Sequence, residues 1–184
     1  MRTIRKICFC VVVFCAVLLP SSMMLAQQST SAEAPTAKEL SFLIGTWETN
    51  VVVHPTELMT RELVGNGTTE YHLFGQAIEG TRITDTANGH HEDHELIVYD
   101  RSSAAYTVFT INLTGIFSEK QLSHFVNVWV VEYKGQKDEK DFTVRGTFKI
   151  ISDNEIKYSS EVSVANSSFK PYIDMTLKRI PKKS

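Results

Sequence analysis

Residues 39–48 read Glu39-Leu40-Ser41-Phe42-Leu43-Ile44-Gly45-Thr46-Trp47-Glu48, and the fold follows from a change of period inside this stretch. Before Gly45 the apolar spacing is helical, with Leu40, Leu43 and Ile44 on one side. Thr36 stands as an N-cap with Glu39 three residues on, the capping-box spacing, and Gly45 is a C-terminal stop. One to two turns of helix are expected from Ala37 to Ile44. After Gly45 the period becomes two. Trp47, Thr49, Val51 and Val53 alternate with Glu48, Asn50, Val52 and His54, and Pro55 stops the strand.

Strand patterns then run to the end of the chain. Asn66-Gly67 is a tight-turn signal ahead of a strand Thr68–Phe74, and Ala77–Thr84 follows. Asp85 to Gly89 marks a turn before His94–Asp100 and Ala105–Leu113. Thr114–Ser123 lacks a pattern and reads as a looser piece. Phe125–Tyr133 is strand, Gly135–Asp141 a charged turn, and Phe142–Ile151, Glu155–Val164 and Tyr172–Ile180 complete the series. Short connections favour antiparallel neighbours. A meander this long exposes two edges unless it closes, so residues 37–181 are expected to form an all-β, antiparallel up-and-down β-barrel of 8–10 strands with a short N-terminal helix. The late strands show one wet and one buried face: Ile156, Tyr158, Ser160, Val162 and Val164 alternate with Glu155, Lys157, Ser159, Glu161 and Ser163. The middle strands are apolar on both sides. Val126, Val128 and Val130 oppose Phe125, Trp129, Val131 and Tyr133, and Leu96 and Val98 alternate with Ile97 and Tyr99. The outer face there is expected to be covered, by a second subunit in a homo-oligomer or by the N-terminal segment.

The chain begins with a basic head, Arg2, Arg5 and Lys6, and an apolar run of 13 residues from Ile7 to Leu19, too short to span a bilayer comfortably. With Met24-Leu25-Ala26 after it, residues 1–26 have the layout of a cleaved signal peptide and residues 27–36 that of a flexible leader. Export to a periplasmic or extracellular location is therefore expected, with no membrane span afterwards. Cleavage would remove Cys8, Cys10 and Cys15, so neither disulfides nor thiolate chemistry could serve the mature domain. Without Arg2, Arg5 and Lys6, Lys+Arg falls from 19 to 16 against 21 Asp+Glu, a formal net charge of −5. Nucleic acid is an unsuitable partner for such a chain, since phosphate neutralisation needs a basic face.

Leu40-x-x-Leu43-x-Gly45-x-Trp47 resembles the opening of lipocalin-like (calycin) barrels. It is more similar to a group of uncharacterised secreted bacterial lipocalin-like proteins, in which a strand ending in Tyr-Asp and a further tyrosine follow. Tyr99-Asp100 and Tyr106 stand in that arrangement here. The resemblance implies that Arg179, on the inward side of the last strand with Ile173, Met175 and Leu177, packs on Trp47. Gly45, Trp47 and Arg179 would then plug the barrel floor. The second lipocalin motif, Thr-Asp-Tyr, is absent, since Thr84-Asp85-Thr86 lacks the tyrosine. Nitrobindin-type haem barrels share the Gly-x-Trp opening but place glycine where Thr49 stands and use a late histidine, whereas no histidine follows His124. Haem ligation of that kind finds no support.

The densest polar cluster is Gly89-His90-His91-Glu92-Asp93-His94-Glu95. It is not the helical zincin motif, because His91 occupies the glutamate position. In an extended chain His90, Glu92 and His94 share a face with imidazole and carboxylate donors spaced for a metal. The competing reading is a solvated hairpin rim. There is no Gly-x-Ser-x-Gly elbow and no phosphate-cradling loop, and no catalytic residue or cofactor is assigned. The function expected is non-catalytic binding of a small, largely apolar molecule inside the barrel, lined by Trp47, Tyr71, Phe109, Trp129, Phe148, Tyr158 and Met175. These residues could equally fill the barrel as plain core. The alternatives are an oligomeric interaction module with a filled barrel and a metal-dependent enzyme at His90, Glu92 and His94.

Overall fold

The computed structural model describes residues 37–103, 105–125 and 128–181. The expected signal peptide and leader, Thr36 among them, lie outside the described residues. A 3-10 helix, Ala37–Leu43, precedes ten strands. These are β1 (Gly45–Val53), β2 (Leu63–Phe74), β3 (Ala77–Thr86), β4 (Gly89–Asp100), β5 (Ala105–Asn112), β6 (Phe117–Phe125), β7 (Val128–Lys137), β8 (Lys140–Ser152), β9 (Glu155–Val164) and β10 (Lys170–Arg179). Each strand pairs antiparallel with its sequence neighbour, and β1 pairs with β10, so the sheet closes into a barrel. Closure leaves no strand edge unpaired, which is how an all-β chain avoids edge association. Among the described residues no helix is long and apolar enough to cross a membrane.

The helix sits at the end of the barrel where β1 starts and β10 finishes, the floor. Leu40 and Leu43 are buried there with Trp47, which is wholly inaccessible. The carbonyls at the end of the helix, which no helix can satisfy internally, are taken by side chains. Trp47 Nε1 donates to Leu43 O at 2.7 Å, and Arg179 donates through Nη1 to Ile44 O at 2.6 Å and Nη2 to Phe42 O at 2.8 Å. The same guanidinium lies 4.0 Å from the Trp47 ring centroid, and its Nε donates to Asp153 O at 2.8 Å. Gly45 has φ of 132°, and a Cβ there would stand 2.5 Å from Arg179 Nη1. Gly45, Trp47 and Arg179 are thus in mutual contact. Tyr99 and Tyr106, paired across β4 and β5, stack edge-on at 5.0 Å, and Tyr106 Oη donates to Glu39 at 3.1 Å.

Several sequence expectations are corrected. Asn66-Gly67 is not a turn: both residues lie within β2, opposite Asn50 and Thr49 of β1. Gly67 is needed for close packing, since a Cβ there would fall 1.9 Å from Ile83 O. The looser piece Thr114–Ser123 contains most of strand β6. Its alternation was hidden because the inward side carries Ser118 and Lys120 as well as Leu122. The expected strand Phe125–Tyr133 is broken, because the chain reverses between Phe125 and Val128, which pair with each other. The charged turn shrinks to Asp138-Glu139, both at positive φ, and the strands run on to Lys137 and Lys140. Opposite-side parity is kept in β7, where Trp129 and Val131 are buried and Val128 and Val130 are half-buried on the outer face.

Candidate binding cavity

The barrel is not filled. A cavity of about 380 Å³ extends from the floor residues Leu40 and Leu43 to the opposite rim, where His90, His91 and Leu113 border it. The upper part of the β7–β10 side is closed by a second apolar cluster. Val144, Val162 and Val164 pack there with Leu58, supplied by the β1–β2 connection. Lys137 Nζ donates to Leu58 O at 2.6 Å and fixes that connection over the rim. The open volume therefore faces two unlike walls. The apolar wall carries Trp129, Val131, Tyr133, Phe148, Tyr158 and Met175. Two of its rings rest on each other, Phe148 and Tyr158 at 4.6 Å. Gly146 makes this possible, since a Cβ there would stand 2.3 Å from Tyr158 Oη.

The facing wall, built on β3 to β6, is charged. Arg82 Nη2 donates to Asp93 Oδ2 at 2.9 Å and to Glu95 Oε1 at 3.5 Å, and its Nε reaches the same Asp93 oxygen at 3.3 Å. Tyr71 Oη donates to Glu95 Oε2 at 2.8 Å. Lys120 Nζ donates to Thr110 Oγ1 at 3.0 Å and lies 5.6 Å from the Tyr133 ring centroid. The register explains the assembly. Arg82 is opposite Asp93, and Glu95 is opposite Thr110, so inward positions on four successive strands converge. Among the described residues no buried side-chain nitrogen or oxygen is without a partner.

Burial and mutual charge set the ionisation of this wall. Burial opposes the Glu95 carboxylate, but Arg82 and then Lys120 outweigh it and hold the carboxyl below its ordinary value. Burial also opposes the Arg82 charge, and Glu95 and Asp93 more than compensate, so the guanidinium holds its proton more firmly than usual. Lys120 goes the other way. Burial lowers its ammonium pKa, and Glu95 offsets this only in part. Tyr71 is pushed well above its ordinary value by burial and by the neighbouring Glu95 carboxylate, so it stays a donor.

No family model and no curated protein matches the sequence. Solved structures do match in shape, among them the following two. The crystal structure of Rv2717c from M. tuberculosis superposes with a TM-score of 0.60 at 17% identity, covering 80% of this chain and 99% of that one. The S-type phycobiliprotein lyase CPES from Guillardia theta gives 0.56 at 8% identity, covering 81% and 95%. The chain has a lipocalin-like, calycin-type barrel fold. At these identities the likeness concerns the fold alone.

Within this lipocalin-like barrel the expected lining residues are sorted as follows. Tyr71, Trp129, Phe148, Tyr158 and Met175 border the cavity. Trp47 does not, because it is sealed in the floor beneath it. Phe109 does not either. It is opposite the outward Leu96 and stacks at 5.9 Å on Phe117 outside the barrel, because the inward positions of β5 are Tyr106, Val108 and Thr110. His90, Glu92 and His94 do share the outer side of β4, but they are not gathered into one centre. His90 Nδ1 meets Asp85 Oδ1 at 2.9 Å, while His94 Nε2 meets Glu92 Oε1 at 2.9 Å. Among the described residues no group of three candidate donors converges for a metal. Sequence reasoning missed Arg82, Asp93, Glu95 and Lys120. The available signal was a charged residue at an inward position of an alternating strand, as with Arg82 between Gly80 and Thr84.

Proposed function

We propose that this protein is a non-catalytic carrier or sensor that holds a small, largely apolar molecule inside its barrel. The observation that carries the reading is the cavity of about 380 Å³ walled by Trp129, Phe148, Tyr158 and Met175. That volume lies within the usual range of small-molecule sites, and aromatic walls with a few convergent polar groups are their usual chemistry. A filled barrel would have closed these side chains on each other, as Val144, Val162 and Leu58 do next door. We further propose export, on the basic head at Arg2, Arg5 and Lys6 and the apolar run Ile7–Leu19 with cleavage after Ala26. Leu40, Leu43, Gly45, Trp47, Tyr99, Asp100 and Tyr106 support membership of the uncharacterised secreted lipocalin-like group.

Native mass spectrometry of the purified protein, followed by solvent extraction, tests the binding reading. A co-purified apolar molecule released on unfolding is expected. A protein of bare polypeptide mass that also fails to bind decanoate, decanol and decylamine in calorimetry refutes it.

A second reading is self-association through the outer face of β4 to β7. Phe117 and Phe125 are each 60% exposed there, beside the half-buried Leu96, Val98 and Val128. The two rings stand at opposite ends of β6, Phe117 beside Phe109 and Phe125 beside Val128, and exposed apolar side chains of this kind are candidates for contact with a second copy. Light scattering is expected to show a dimer that Phe117→Ser with Phe125→Ser converts to monomer. A monomeric wild type at high protein concentration rules it out.

A further inference from the structure

The charged wall has an unequal inventory of donors and acceptors, and this inequality selects the ligand's head group. Three of the four carboxylate oxygens already accept a hydrogen bond. Asp93 Oδ2 accepts twice from Arg82, and Glu95 accepts from Tyr71 through one oxygen and from Arg82 through the other. The cations are less fully used. Among the described residues Arg82 Nη1 meets only the Met175 thioether, 4.0 Å away, and a thioether is a weak acceptor. Lys120 carries three N–H donors and uses one on Thr110. Among the described residues no ion pair reaches Lys120, because both nearby carboxylates serve Arg82. A desolvated ammonium with no counter-charge in contact is unfavourable, and an anion beside it relieves that cost. Both cationic groups border the cavity, and so does the apolar wall across from them.

We propose that the cavity takes an amphiphile with an anionic head, of the class of medium-chain carboxylates, its head on Lys120 Nζ and Arg82 Nη1 and its chain against Trp129, Phe148 and Tyr158. This rests on the reading of the barrel as a binding site and adds the head-group chemistry. A cationic amphiphile fits poorly, since its head would lie beside the Arg82 and Lys120 charges and compete with Arg82 for the carboxylates. A neutral alcohol keeps the chain contacts and forgoes the ion pair.

Calorimetric titration with decanoate, decanol and decylamine separates these cases. For the wild type, decanoate is expected to bind roughly 10- to 100-fold more tightly than decanol, the range of a charge-assisted hydrogen bond. Lys120→Met removes the ammonium and keeps an unbranched apolar stem. It is expected to bring decanoate down to the decanol affinity while decanol itself changes by less than about threefold. If Lys120→Met does not fold, Lys120→Gln supplies the same comparison. Decanol or decylamine binding as tightly as decanoate to the wild type, or a variant that keeps the preference, overturns the head-group assignment and leaves the cavity reading standing. Failure of all three probes to bind overturns both.

Discussion

Replacing Arg179 by methionine tests whether the floor of the barrel is held by one side chain. The change keeps an apolar stem over Trp47 and removes the guanidinium. A cation over a buried indole contributes about 1–2 kcal/mol. The hydrogen bonds to Ile44 O and Phe42 O are charge-assisted, at about 1.5–3 kcal/mol each, and water recovers part of that because Arg179 is only half-buried. A net loss of about 4 kcal/mol follows, a large share of an ordinary domain's stability. Urea unfolding followed by tryptophan fluorescence reads it. With a slope of about 2 kcal/mol per molar, the midpoint falls by about 2 M at constant slope. Gly45→Ala adds the internal control. Its Cβ would stand 2.5 Å from Arg179 Nη1 on a backbone at φ of 132°. In the wild type it must displace the guanidinium as well as strain the chain. Beside Arg179→Met only the strain remains. The two single losses should therefore exceed the double-variant loss by about 2 kcal/mol. A loss below about 1 kcal/mol for Arg179→Met, or additivity within about 0.5 kcal/mol, refutes the account of the floor.

Three further outcomes are expected. Glu95→Gln should destabilise by about 1–3 kcal/mol at pH 7, because a buried Arg82 loses a charged partner. Glu95 has its carboxyl held below the ordinary value of 4.5, so its contribution is present above that pH and lost as pH falls through the folded-state pKa. The gap between wild type and variant should narrow below pH 4.5 in urea melts, and a gap independent of pH contradicts the assignment. Glu139→Gly relieves a non-glycine residue at φ of 64° in the two-residue β7–β8 turn. A gain of about 1 kcal/mol is expected in thermal melts, and a loss refutes the turn geometry. Gly80→Ala places a Cβ 2.3 Å from Tyr71 Cε1 and must push the ring off Glu95. A loss of about 2–4 kcal/mol is expected. Because the displaced phenol then escapes burial, its titration in ultraviolet absorbance should move down toward 10, the ordinary value.

The closed sheet was legible because its evidence is periodic and redundant. Glu155–Val164 appears in the structure with the bounds its alternation implied, and its two faces hold as far as Val162, beyond which Ser163, on the expected wet side, is buried. The errors fall where a local signal competed with a long-range one. Asn66-Gly67 carries the composition of a hairpin turn, yet Gly67 is there because Ile83 O approaches from the next strand. Nothing in the local sequence reveals that approach. The double apolar pattern around Val126 concealed a reversal, because hydrophobic residues on both sides of a turn continue the alternation across it.

The site was less legible, for a reason that bears on how such cavities are made. Sequence patterning divides a strand into an apolar inside and a polar outside, so aromatic inward residues are found and charged inward residues are misassigned or leave a strand unrecognised. Strand β6 carries Ser118 and Lys120 on its inward side, which breaks its alternation, and Glu95 adjoins the His90–His94 cluster in sequence although it lies on the opposite face of β4, 9% exposed. A barrel that only filled itself would have no use for Arg82, Asp93, Glu95 and Lys120, whose burial costs free energy unless each charge is answered. Three of the four are answered by one another. The fourth, Lys120, meets among the described residues only a hydroxyl and a ring face. The residues that defeated the alternation rule are therefore those that the proposed binding role would need, and Lys120, which meets no counter-ion among the described residues, is where the proposed anionic head would sit.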